Sequence, residues 1–250
     1  MSAMSTPSSS APPAAGGLDF SLAHGPEFPL LTVRLAAGQS IFTEPDAMVT
    51  MSPALHMRAA LKGGLGKSLG RAFGGESLVV NTFSAPGATG GELALAPGGM
   101  GDIHHYRLGR GGGLMLQRGA FLAHGEGVTL DASWQGARGF FSGGGLVMLK
   151  AGGAGDLFFN GFGAVIPLDV DGTTFVDTGY VLAFEDTLSY RVTTMPGLRP
   201  GMGQKLKTFF LGGEGLVCQF SGRGRVWVQT RQIGSFLGWI YPYRPVKQRN

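Results

Sequence analysis

A glycine pair returns three times along this chain, and each time it opens an apolar run. The copies are Gly74-Gly75-Glu76-Ser77-Leu78-Val79-Val80, Gly143-Gly144-Gly145-Leu146-Val147-Met148 and Gly212-Gly213-Glu214-Gly215-Leu216-Val217-Cys218, and their second glycines are equally spaced. After each copy a glycine opens a second short run: Gly91 to Leu95, Gly155 to Phe159 and Gly224 to Val228. Before each copy, two apolar runs flank a polar tight turn. These are Ile41 to Met51 around Pro45-Asp46, Met115 to Ala123 around Arg118-Gly119, and Phe175 to Ala183 around Thr178-Gly179. One order of features kept over three equal intervals is the mark of a supersecondary unit used repeatedly. Each unit reads as four or five short strands with one apolar face, which it cannot bury alone.

The chain holds 45 glycines in 250 residues, more than twice the ordinary share of about 7%. They cluster between apolar runs, as tight turns joining short strands do. With 43% hydrophobic and 14% charged residues there is ample material for a core. The expected fold is therefore all-β: three internal repeats of short antiparallel strands around a pseudo-threefold axis, a closure that hides strand edges. Residues 28–243 form the single three-repeat domain, 1–27 a disordered Ser/Pro/Ala/Gly-rich tail, and 244–250 a basic C-terminal tail. Met57 to Phe73 carries helix formers interrupted by Gly63, Gly64, Gly66 and Gly70, and reads as a short helix or a Gly-rich crossing.

Catalytic patterns are absent from the sequence. Cys218 sits in an apolar run and reads as a small buried hydrophobe. His104 and His105 are neighbours in a strand, so they point to opposite faces and cannot share a metal ion. No Gly-x-Ser-x-Gly elbow occurs. Gly66-Lys67-Ser68 ends like a phosphate loop, but Leu61 stands where the pattern requires glycine. Asp102, Asp156, Asp169, Asp171, Glu76 and Glu214 lie near turns, where carboxylates satisfy backbone donors. No catalytic residue, cofactor or metal ligand is expected, and the protein is read as not an enzyme.

The net charge is +4 and the pI about 9.4. One strand, Arg223 to Arg231, sets Arg223, Arg225 and Arg231 beside Trp227, an arrangement that could stack and neutralise a single nucleic-acid strand. The alternative is that Trp227 packs in the core. The apolar, aromatic stretch Ser235 to Tyr243 reads as a contact surface for the barrel or another subunit. No stretch has the length of a membrane span, and the N-terminal residues lack the pattern of a targeting signal, so a cytoplasmic protein is expected.

Several motifs resemble those of the altered-inheritance-of-mitochondria protein 24 family. They are Gly38-Gln39-Ser40-Ile41 with Glu44-Pro45-Asp46-Ala47-Met48-Val49, Gly74-Gly75-Glu76-Ser77, Leu95-Ala96-Pro97 with Gly101-Asp102-Ile103, Gln117-Arg118-Gly119-Ala120, Val176-Asp177-Thr178-Gly179, Gly213-Glu214-Gly215-Leu216-Val217, and Gln229-Thr230-Arg231. The resemblance covers about residues 30–243. It implies β-sandwich units of the double-stranded β-helix type, similar to the tryptophan RNA-binding attenuation protein. It also implies a link, in mitochondrial members, to inner-membrane organisation and respiratory-complex integrity. No catalytic residues come with it, and no motif here matches the attenuation protein's RNA-binding residues. Three functions follow as expectations: a non-enzymatic assembly or scaffold protein working through protein contacts as a homo-oligomer with an unknown partner, an RNA or single-stranded nucleic-acid binder, or a small-ligand or metal-binding β-barrel.

Overall fold

A computed structural model describes residues 17–61, 79–131, 148–196 and 216–244. These residues form three sheets of antiparallel strands. The first runs β1 (Asp19–Ala23), β2 (Leu30–Leu35), β7 (Gly91–Leu95), β4 (Met48–Met51). The second runs β5 (His56–Leu61), β6 (Val79–Ser84), β3 (Ser40–Thr43), β10 (Phe121–Gly125), β13 (Gly155–Asn160), β8 (Ile103–Leu108). The third runs β11 (Val128–Asp131), β12 (Met148–Gly153), β9 (Leu114–Gln117), β15 (Val181–Glu185), β17 (Leu216–Gln229), β14 (Val165–Asp177), and β16 (Ser189–Thr194) also pairs with β17. A helix, α1 (Ile233–Ile240), follows the last strand.

Side-chain alternation explains how the sheets stack. In β2, Leu31, Val33 and Leu35 are buried while Thr32 and Arg34 are not, the signature of a strand with one wet face. In β13 every residue is buried. Its neighbours Phe158 and Phe159 point opposite ways: Phe158 packs with Leu31, Val33 and Phe83, and Phe159 with Leu116, Leu149 and Trp227. The second sheet is thus a central layer with the first on one side and the third on the other. Burying a side chain of this size contributes about 1.5–3 kcal/mol, and β13 collects that gain on both faces. A third cluster, with Phe184, Phe220, Val226 and Cys218, fills the far face of the third sheet.

The three sequence segments give three hairpin arrangements with shared features. The strand after each glycine pair joins the first strand of its preceding segment: β3 with β6, β9 with β12, and β14 with the start of β17. The second strand of each segment carries a register shift against its partner: between Met48 and Thr50, Phe121 and Ala123, and Val181 and Ala183. A short 3-10 turn joins the two strands in the second and third segments, Arg118–Ala120 and Thr178–Tyr180. The glycine pairs themselves lie outside the described residues.

Three expectations change. Among the described residues the sheet orders are open paths and no barrel closes. β1 lies within the span 1–27 expected as tail, because the Ser/Pro/Ala composition ends at Gly17 and Leu18, Phe20 and Leu22 then supply an apolar face that packs on the first cluster of strands. Met57 to Leu61 belongs to strand β5, paired with β6, and not to a helix; the rest of that segment lies outside the described residues. In the first segment's tight turn Asp46 has φ 65°, while Gly119 and Gly179 sit in the 3-10 turns. Aspartate is among the few residues with a side chain that tolerate this conformation.

Candidate functional site

The ends of several strands converge under α1 and leave a cleft of about 460 Å³. Glu44 enters from the turn after β3, Gln117, Gly119 and Ala120 from the turn between β9 and β10, Asn160 and Phe162 from the end of β13, and Leu182 and Gln229 from β15 and β17. Ile233, Phe236 and Leu237 complete it. Their spacing of three and four puts them on one face of α1. Three contacts hold the rim together. The side-chain oxygen of Gln229 accepts the Phe162 N–H at 2.9 Å and its amide donates to the Gly179 carbonyl at 3.0 Å. The Phe236 ring meets Phe162 edge-on at 5.2 Å. No residue of α1 is buried.

The cleft's polar groups are unequally partnered. Burial, then the charge of nearby Asp46, pushes the Glu44 carboxyl up to about 7. Asn160 is only 7% exposed, and its Oδ1 is buried with no hydrogen-bond partner. Among the described lining residues there is no lysine, arginine or histidine.

A second polar cluster lies elsewhere, where the start of β13 pairs with β8. Asp156 accepts from the Leu18 N–H at 2.8 Å, from His105 Nε2 at 2.8 Å and from Arg107 at 2.7 Å. Burial alone would raise this carboxyl, but these donors outweigh it and hold it at about 2. Asp156 does satisfy a backbone donor, as its place near a turn suggested, and it also ties the start of the chain to β8.

Of the three arginines expected to bind nucleic acid, Arg225 lies over the Trp227 ring, 5.9 Å from its centroid. Arg223 and Arg225 share a face of β17 and are each met by an aspartate across from them on β14: Arg223 by Asp171 at 2.9 Å, Arg225 by Asp169 at 2.7 Å. Arg231 is exposed beyond the strand. Trp227 is 1% exposed, and its indole N–H donates to His104 Nε2 at 2.9 Å. The core alternative weighed for Trp227 is therefore the one the structure adopts. None of the three arginines lines the cleft.

His104 and His105 do face opposite ways. His104 turns to Trp227 and Phe159, His105 to Phe20 and Phe158. Burial, with the nearby charges of His105 and Arg225, lowers His104 to about 4, so it is neutral at pH 7. No cluster of three metal-ligating side chains occurs among the described residues. Burial pushes the Cys218 thiol up to about 12, far from a reactive thiolate. No helix among the described residues is long and apolar enough to cross a membrane.

Sequence reasoning missed Glu44 and Asn160 as site residues. The available signals were a carboxyl two positions from another carboxylate, and a polar residue ending the buried run Leu157-Phe158-Phe159.

The family model described as Mitochondrial biogenesis AIM24 matches residues 20–231, so α1 falls outside the matched span. An uncharacterised protein of Streptococcus pyogenes serotype M6 is 30% identical over 236 residues, covering 90% of this chain and 91% of that protein. The X-ray crystal structure of a Streptococcus pyogenes protein superposes with a TM-score of 0.71 at 25% identity, covering 91% of this chain and 100% of that one. With a family match over most of its length and a relative aligned along nine-tenths of both sequences, this chain belongs to the mitochondrial biogenesis AIM24 family.

Proposed function

We propose that the protein is a non-enzymatic assembly protein that works through protein contacts, as a homo-oligomer in which three internal repeats present one surface. The carrying observation is the apolar end of the chain. Ile233, Leu237, Trp239, Ile240, Tyr241 and Tyr243 are all exposed, Trp239 by 65%. Trp239 lies 6.0 Å from Phe236 and 6.1 Å from Tyr243, so the aromatic groups form a continuous strip. A contiguous exposed apolar patch is a contact surface, and Trp and Tyr are the side chains that dominate such contacts.

The nucleic-acid reading has less behind it. Trp227 is buried, and Arg223 and Arg225 each face a carboxylate. Light scattering tests the assembly reading. A mass at a multiple of 26.0 kDa is expected, falling when Trp239 and Tyr243 are changed together to serine. A strict monomer that retains no partner in pull-downs overturns it. Steeply salt-sensitive binding to mixed RNA would favour the nucleic-acid reading instead.

A further inference from the structure

We propose that β4 and the last residues of β14 are complementary strand edges, and that β4 of one copy of this chain pairs with β14 of the next. The proposal rests on the homo-oligomer reading above and names a contact apart from α1. Its basis is a rule that the sheets follow twice. The first strand of one sequence segment pairs with the second strand of the following one: β3 with β10, and β9 with β15. The third segment's first strand, the end of β14, has no such partner among the described residues, and neither does the first segment's second strand, β4. β14 pairs only with β17 there, and β4 only with β7. β10 and β15, the counterparts of β4, carry the same register shift and are nonetheless paired along both edges. The free edge of β4 is therefore a pairing surface, in spite of its bulge.

The exposed residues fit a docking edge. Met48, Val49 and Met51 are 41%, 53% and 40% exposed, and Phe175 on β14 is 45% exposed. Edge strands commonly carry charge that discourages pairing, and others here do: Asp19 in β1, Arg58 in β5, Arg107 in β8 and Asp131 in β11. β4 and the stretch 173–176 of β14 carry none.

The two internal junctions fix the register of the third. Thr43, Leu116 and Val176 stand equally far before Thr50, Ala123 and Ala183, the residues that end the register shifts. Thr43 pairs with Ala123 and Leu116 with Ala183, so Val176 pairs with Thr50 of the partner copy and Phe175 with its Met51. The matching pairs inside the chain are Phe42 with His124, stacked at 4.8 Å, and Met115 with Phe184, both in one buried cluster. Phe175 against Met51 repeats the second pair with its members exchanged, and a thioether beside an aromatic ring is a favourable contact. Continuity with these junctions commits the edge to a second copy. The two joining surfaces differ, so copies meet head to tail.

Light scattering of full-chain variants tests this. Met51 and Phe175 are exposed, so Met51→Lys and Phe175→Lys lie outside the core. Each should weaken self-association at least about tenfold, because the lysine would be drawn against an apolar strand. An equimolar mixture of the two should associate again, since each supplies the edge that the other has lost. Met51→Cys protein mixed with Phe175→Cys protein should give a covalent dimer with a short bismaleimide, and neither should do so alone; Cys218 is buried and does not compete. Unchanged association in both lysine variants, or cross-linking of the Met51→Cys protein by itself, overturns the proposal. An oligomer that ignores both lysines but falls when Trp239 and Tyr243 are changed to serine refutes this junction and leaves the α1 contact standing. The reverse pattern supports the junction and removes α1 from the interface. A strictly monomeric wild type sinks both.

Discussion

Asp156 and Glu44 are the same functional group in two kinds of burial, and they move in opposite directions. Asp156 is surrounded by the Leu18 N–H, His105 and Arg107, and its carboxyl falls to about 2. Glu44 faces the cleft with no cation among the described lining residues and with Asp46 nearby, and its carboxyl climbs to about 7. Loss of water destabilises both charges alike. The donors and the neighbouring charges differ. One carboxylate is a structural tie between the start of the chain and the second sheet, and the other is a group whose charge is left for something else to balance.

The largest expected effect comes from removing the tie. Asp156→Asn keeps an oxygen for the Leu18 N–H but strips the charge facing His105 and Arg107. It should cost about 3 kcal/mol in urea unfolding at pH 7. A loss under about 0.5 kcal/mol, the size of an ordinary surface change, would break the contrast, because it would mean the donors stabilise nothing.

Acid comes next. A carboxyl held below its unfolded value adds stability that is complete above pH 3.8 and disappears as the pH falls towards 2. Wild type should lose about 2 kcal/mol across that window, and Asp156→Asn should not show this step. His104, lowered from 6.5 to about 4 mainly by burial, acts in a separate and earlier window. Its contribution is present above pH 6.5 and is lost as the pH drops through 4. Two resolved acid losses in wild type, with only the lower one missing in the variant, would sharpen the comparison.

The smallest effect has the opposite sign. Glu44 is raised, so its protonated form stabilises the fold below pH 4.5, and that contribution is lost as the pH climbs through about 7. Glu44→Gln should therefore gain about 1 kcal/mol at pH 8, a figure discounted for partial solvent screening, and nothing at pH 4.5. Thermal melts at the two pH values check this. A variant less stable than wild type at pH 8 would show that Glu44 has a partner on the scale of those at Asp156.

The all-β character and some side-chain orientations were legible in the residues. The opposition of His104 and His105 follows from their adjacency. Cys218 within an apolar run and Trp227 between valines both packed inward. Other features were obscured for identifiable reasons. α1 was hidden because Gly234 and Gly238 lower helix propensity over its short length, so its aromatics read only as a greasy stretch. β1 was absorbed into the tail because its strand pattern is short and follows directly on a Ser/Pro/Ala-rich segment. The arginines of β17 looked free because Asp169 and Asp171 sit far from them in sequence, and only antiparallel pairing with β14 brings each carboxylate opposite its arginine.

From the sequence alone came strand content, turn placement and the inward or outward sense of side chains along each strand. These are local: successive residues of an extended chain point to opposite faces wherever the strand lies. Tertiary structure decided which strand edges pair, that the sheets stay open, that α1 roofs a cleft, and that one buried carboxyl is surrounded by donors while another is not. Those outcomes depend on groups distant along the chain arriving within hydrogen-bonding reach in a water-poor setting, and that meeting is a property of the assembled layers.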